Sequence, residues 1–185
     1  FIENRKALKE GNTSLAALSQ GRDFRLHLKR ANTLAGSAQN IADHYDLSND
    51  FYKTFLDETM TYSCGIFHSP ENSLEEAQHQ KIRAVLDKAR ITGKDHVLEI
   101  GCGWGSFAVE AVKVAGCRIT GITLSKAQCE YARERVRREG LEDKIEIGLK
   151  DYRTVRGAYD KIVSIEMLEA VGHENLGQFF ASCDR

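Results

Sequence analysis

The run Glu99-Ile100-Gly101-Cys102-Gly103-Trp104-Gly105 puts glycine at alternate positions directly behind a carboxylate. Glycine permits a tight turn and lets a ligand approach the backbone with no Cβ in the way, so such a run between a strand and a helix reads as a nucleotide-type binding turn. Spacing decides the ligand class. A dinucleotide turn is G-x-G-x-x-G and sets a pyrophosphate on a helix N-terminus; here the third glycine comes one position early and Ser106 holds the later slot. Glu99 also sits poorly beside a pyrophosphate and suits a ligand with a positive end. Dinucleotide enzymes carry an acid for the ribose about 20 residues further on, whereas this chain reads Thr123-Leu124-Ser125-Lys126-Ala127-Gln128 there. Gln128 either bonds ribose hydroxyls in place of that acid or closes a capping box with Ser125, and spacing leaves the two even.

S-adenosylmethionine has no phosphate, and E/D-x-G-x-G-x-G at the end of a first strand is the pattern of the methyltransferases that use it. That cofactor is the expected ligand, set against the plainer alternative of a glycine turn needed only for packing.

The elements that must position this turn alternate regularly. Ser73-Leu74-Glu75-Glu76 has the form of a capping box, and a helix follows with Leu74, Ala77, Ile82, Val85, Leu86 and Ala89 on one face, ending near Gly93. Strands are expected at 96–100, 118–122, 144–147 and 161–165, with helices after the glycine turn and from Lys126 to about Glu139. Strands separated by single helices imply parallel pairing with right-handed crossovers. The fold class is α/β: a doubly wound, Rossmann-like sheet. Residues 1–70 read as an N-terminal helical annex or lid, and 71–185 as the cofactor-binding domain. The chain opens on Phe1, and 179–185 reads as a helix without a cap, so both ends are taken as cut points and the domain as C-terminally truncated. Phe51, Tyr52 and Phe55 either line an apolar pocket or form plain core; core is the preferred reading for Phe51 and Phe55.

Composition narrows the partners. Lys and Arg together number 26 against 27 Asp and Glu, so no global basic field argues for nucleic acid. No apolar run approaches the roughly 20 residues of a spanning helix, and the N-terminus lacks the pattern of a signal peptide. The five cysteines are scattered, with no C-x-x-C pair, which fits a reducing compartment and no disulfide framework. The six histidines are dispersed too, and no metal site is expected.

Further segments carry a resemblance: His44-Tyr45-Asp46-Leu47-Ser48, Met60-Thr61-Tyr62-Ser63-Cys64, Glu99 to Gly105, Thr123-Leu124-Ser125, and Ser164-Ile165-Glu166-Met167-Leu168-Glu169-Ala170-Val171-Gly172. In this order and spacing the chain resembles the cyclopropane fatty acid synthase and mycolic acid methyltransferase family. The resemblance implies methyl transfer from S-adenosylmethionine to a cis double bond of a phospholipid acyl chain, then loss of a proton to close a ring. It implies a cytoplasmic enzyme acting peripherally at a membrane surface. It gives Tyr62 and Ser63 the closure over the cofactor, and Glu99, Ile100, Gly101, Cys102, Gly103, Trp104 and Gly105 its methionine part. Thr123, Leu124, Ser125 and Gln128 fall on the ribose side. Tyr152 falls near the adenine, where its alternative is an aromatic that packs a loop. The family's base is a bound bicarbonate, held by a carboxylate and a cysteine backbone N–H that match Glu169 and Cys64.

Two departures stand out. Glu169 is followed by Ala170 where bacterial and mycolic relatives usually have histidine, with His173 either a substitute or a solvated side chain. The family's further histidine and tyrosine at the anion site lie in C-terminal strands beyond this sequence. The competing readings are a sphingolipid-base C-methyltransferase, a fatty-acyl methylase leaving a branch, a small-amine N-methyltransferase, and a non-catalytic cofactor-binding piece.

Overall fold

Strands β1 (His96–Ile100), β2 (Arg118–Thr123), β3 (Ile145–Leu149) and β4 (Lys161–Val163) form one parallel sheet in the order β3-β2-β1-β4. The computed structural model describes residues 48–184, which lie in a single compact unit. The expected annex over 1–70 therefore falls largely outside the described residues.

The order follows from the connections. Each strand but the last is followed by one crossover, and β1, central in the sheet, is buried on both faces, as a parallel sheet between helical layers requires. Side chains alternate along β1. Val97 joins a core built from Ile82 and Leu86, Phe107 and Val112, and Cys129 and Val136. These belong in pairs to helices α2 (Leu74–Ala89), α3 (Ser106–Ala115) and α4 (Lys126–Arg138). Leu98 and Ile100 face the other side, with Ile122, Tyr152, Val171 and Phe179. The last two come from helices α5 (Leu168–Val171) and α6 (Leu176–Cys183). Period two places Glu99 on the Val97 side, toward α2.

Helix α2 begins as the sequence requires: Ser73 Oγ accepts from Glu76 N–H at 3.2 Å, and the Glu76 carboxylate accepts from Ser73 N–H at 2.7 Å. It stops before Gly93. Arg90 takes the left-handed conformation (φ 52°), and Ile91 N–H returns to Leu86 O at 3.0 Å. This is a Schellman closure, in which burial of Ile91 offsets the strain at a non-glycine residue. Leu74, at the first turn, is exposed, whereas Gln78 and Lys81 are buried at 1% and 5% exposure on the inner face.

Residues 48–68 pack onto this body. The short helix α1 (Asn49–Tyr52) is capped by Ser48, and Tyr52 and Met60 close over Trp104. Phe51 and Phe55 are 46% and 47% exposed, so the expectation that they are core is not met. Only one side of the short helix faces the body, and Tyr52 takes it. Among the described residues β4 pairs with β1 alone, leaving its outer edge open. No described helix is long and apolar enough to cross a membrane.

Candidate active site

The carboxyl ends of β1, β2 and β4 converge, which is where ligands of open α/β sheets bind. At the end of β1, Gly101 and Cys102 N–H both donate to Ile122 O at 2.9 Å, tying the turn to β2. Ile100 and Cys102 point into the two cores. Trp104 is 3% exposed, its Nε1 donating to Asn49 Oδ1 at 2.8 Å and its ring 4.8 Å from Tyr52. With these side chains committed to packing, the turn offers a ligand mainly its backbone. Gly103 marks where: its φ is 52°, and a Cβ built there meets nothing within 4 Å. Gly105, which caps α3, is by contrast needed for packing, since its Cβ would lie 3.0 Å from Ala132 Cβ of α4.

Beneath the turn, Glu99 is 5% exposed, and its Oε2 is buried with no hydrogen-bond partner among the described residues. Burial pushes its pKa up to about 8, with Lys81 opposing the shift. Lys81 comes from α2, and burial pushes its ammonium below the usual lysine range against the pull of Glu166, Cys64, Asp57 and Glu99. An orphaned buried carboxylate under an open glycine turn fits a ligand with a positive end and is costly without one. It does not fit a pyrophosphate.

Residues 57–66 cross this site as a strap tied to surrounding elements. Arg135 of α4 donates to Thr59 O at 2.6 Å and to Glu58 O at 3.3 Å, while Thr61 Oγ1 donates to Ser106 Oγ at 2.9 Å. Gln78 Nε2 donates to Ser63 O at 2.7 Å, Lys81 Nζ donates to Ser63 Oγ, and Ile66 N–H reaches Ala77 O. Ser63 is thus held over the site from α2. Tyr62, 49% exposed, stacks edge-on against Tyr52 and Phe55 at 5.4 and 6.2 Å. Together with Phe51, these rings make an aromatic wall beside the strap.

On the β2 side, Thr123 Oγ1 donates to Gln128 Oε1 at 2.8 Å and accepts from Ser125 N–H at 3.1 Å. Ser125 Oγ caps Gln128 N–H at 3.3 Å, but Gln128 does not return to the cap backbone, because Thr123 has taken both groups. Of the two alternatives for Gln128, the capping box is therefore only half formed. Leu124 is half-buried. Tyr152 is 7% exposed in a 3-10 turn after β3, with its ring packed 5.2 Å from Phe179 and its hydroxyl buried without a hydrogen-bond partner among the described residues.

The resemblance sets Glu169 and Cys64 around a bound anion; in the structure the Cys64 N–H meets a different carboxylate. Cys64 N–H donates to Glu166 Oε1 at 2.8 Å. Glu169 is exposed on α5 and makes no hydrogen bond or ion pair among the described residues. The reason is local: Glu166 takes φ 49° at the turn after β4, which turns its side chain to the strap before α5 begins. Hydrogen bonding from Cys64 holds the Glu166 carboxyl below its ordinary range, and the same contact raises the Cys64 thiol. His173 is exposed, consistent with a solvated side chain.

Sequence reasoning missed Gln78, Lys81, Arg135 and Glu166. Gln78 and Lys81 had a signal, being polar at inner positions between Ala77 and Ile82. For Glu166 the register of the turn hid the contact.

An open parallel sheet whose central strand ends in this glycine turn over a buried acid is a Rossmann-like methyltransferase domain. The mycolic acid cyclopropane synthetase profile matches residues 32–185, and the chain belongs to that family. A probable fatty acid methyltransferase of Pseudomonas putida is 42% identical over 153 residues, covering 82% of this chain and 39% of that protein. Tuberculostearic acid methyltransferase UfaA1 of Mycobacterium tuberculosis is 46% identical over 154 residues, covering 80% and 36%. Among solved structures, mycolic acid cyclopropane synthase CmaA1, complexed with SAH and CTAB, superposes with a TM-score of 0.76 at 36% identity. The match covers 78% of this chain and 51% of that one. The chain thus spans about two fifths of the curated relatives it matches.

Proposed function

We propose that this protein transfers the methyl group of S-adenosylmethionine to the cis double bond of an unsaturated phospholipid acyl chain and closes a cyclopropane ring. The observation that carries the cofactor choice is the buried, unpartnered Glu99 carboxylate beneath the open backbone at Gly103. When bound, the cofactor supplies an electrophilic methyl group on a sulfonium.

The chain's own residues supply position and shelter. Backbone from Gly101 to Gly105 and the Glu99 carboxylate take the methionine end, with Thr123, Leu124 and Gln128 on the ribose side. Tyr62 and Ser63, carried by the tethered strap, close over the cofactor. Phe51, Phe55 and Tyr62 exclude water from the acceptor and offer ring faces to positive charge developing on the alkene. The acceptor reaches this mouth from a membrane surface, where the protein acts peripherally.

A second reading, a methyl branch in place of a ring, is favoured by the names of the two relatives at 42% and 46% identity. Both products begin with the same methyl transfer. Mass spectrometry of unsaturated phospholipid vesicles treated with the protein and methyl-deuterated cofactor tests the proposal. A ring retaining two deuterons of the methyl group supports it, an acyclic branch that keeps a carbon–carbon double bond supports the second reading, and unaltered lipid contradicts both.

A further inference from the structure

We propose that Lys81 is a positioning residue that makes the pocket selective for a ligand with an amino-acid end. It fixes Ser63 of the strap as a hydrogen-bond donor to the ligand's carboxylate and holds positive charge beside that carboxylate. The inference deepens the S-adenosylmethionine reading above and rests on it.

Lys81 lies where α2, the strap and the end of β1 meet. Its side chain is 5% exposed, and its Nζ donates to Ser63 Oγ. An ammonium carries donors only, so Ser63 Oγ must accept, and the serine's own proton is left for another acceptor. That proton has no acceptor among the described residues. The strap cannot turn Ser63 away, because α2 grips it from both sides. Gln78 Nε2 donates to Ser63 O at 2.7 Å and to Thr61 O at 3.4 Å, and Ile66 N–H donates to Ala77 O at 3.0 Å. Gln78 and Lys81 stand one helical turn apart on the inner face of α2, so a single turn fixes both the backbone and the hydroxyl of Ser63.

The groups around Lys81 suit a zwitterion. Asp57 Oδ1, Gln78 Oε1 and Glu99 Oε2 are buried without a hydrogen-bond partner among the described residues. All three are acceptors, which is what a ligand ammonium needs. The orientation of Gln78 is forced, since two carbonyl oxygens face its Nε2. A ligand carboxylate needs donors and positive charge instead. Lys81 is the cation whose charge acts on both Glu99 and Glu166, and it also feels Asp57 and Cys64. Without it these groups would present carboxyls and unsatisfied acceptors alone, which repels a carboxylate and favours a ligand carrying only positive charge. Burial holds the Lys81 ammonium below the usual lysine range, a cost that a ligand carboxylate would offset. Tethering the strap alone would require no charge, because a neutral donor could serve Ser63 Oγ as well.

The test titrates the intact protein, Lys81→Met and Ser63→Ala by calorimetry with S-adenosylmethionine and with decarboxylated S-adenosylmethionine. The second ligand keeps the sulfonium and an ammonium but has no carboxylate. Wild type should prefer S-adenosylmethionine by about tenfold or more. Lys81→Met keeps the length of the stem without its charge and should abolish that preference: S-adenosylmethionine affinity falls by about tenfold or more, while affinity for the decarboxylated ligand holds or rises. Ser63→Ala should also weaken S-adenosylmethionine more than the decarboxylated ligand. Melting temperatures show that each variant is folded. The proposal is overturned if wild type does not distinguish the two ligands, or if Lys81→Met weakens both by the same factor, as a mere tether would. Should Lys81→Met fail to fold, Ser63→Ala decides, and equal losses for both ligands overturn the proposal. If folded wild type binds neither ligand, the S-adenosylmethionine reading fails and this inference with it.

Discussion

Replacing Glu99 by glutamine should uncouple cofactor binding from pH. In the empty protein Glu99 titrates at about 8 because it is buried, with Lys81 as the opposing cation. At about pH 7 roughly nine molecules in ten therefore hold the proton. A ligand whose positive end requires the carboxylate must release it, at about 1.4 kcal/mol for each pH unit below 8. Affinity should rise about tenfold per unit up to pH 8 and then level off. Stability of the empty protein runs the other way. The folded value lies above the unfolded one of 4.5, so the contribution of the protonated group is complete below pH 4.5. It is lost as pH rises to 8, and Glu99→Gln should remove that slope. Calorimetry near pH 7 in two buffers of different ionisation enthalpy reads the proton directly. The cofactor's α-amino group titrates close to the same pH, so the informative quantity is the difference between wild type and Glu99→Gln. Equal proton release in both proteins, with the same pH dependence of affinity, would refute the placement of Glu99 against the ligand's positive end.

Gly103→Ala and Gly140→Ala share positive φ and open surroundings, so each should cost about 1–2 kcal/mol of stability; only Gly103→Ala should also lower S-adenosylmethionine affinity, by more than about tenfold, since its Cβ enters the ligand's space. Chemical denaturation and titration of the pair separate the two effects. Arg135→Ala removes the guanidinium from Thr59 O and Glu58 O and should cost about 2–3 kcal/mol, with limited proteolysis newly cutting within residues 57–66. The open outer edge of β4 and the 57% exposed Phe180 should make the purified 185-residue chain self-associate; sedimentation showing a stable monomer would count against this.

The sheet was legible because local signals agreed with the global fold. His96–Ile100 is an apolar run entering a glycine turn, and β2 and β3 each follow an amphipathic helix, so strand limits fell within a residue or two of those observed, although only a 3-10 turn separates β3 from β4. The capping box at Ser73 was legible for the same reason, its partners being only three residues apart. Contacts set by tertiary geometry were not. Arg90 ends α2 because Ile91 finds the core, which no local glycine announces. Phe51 and Phe55 read as core from hydrophobicity alone, yet the short helix has one inward side, which Tyr52 occupies, and Phe55 lies beyond its end. Gln78 and Lys81 sit at inner positions of α2, but their partner Ser63 is 15 and 18 residues away and nothing local names it. Glu166 and Glu169 stand three residues apart, and only the left-handed turn at Glu166 selects which carboxylate reaches Cys64.

The central claim is that the glycine turn over Glu99 takes S-adenosylmethionine and not a dinucleotide. Parallel titrations of the protein with S-adenosylmethionine and with NAD test it most directly. Saturable binding of S-adenosylmethionine, weakened by Gly103→Ala, with no binding of NAD, is the predicted result; saturable binding of NAD with none of S-adenosylmethionine would contradict the account.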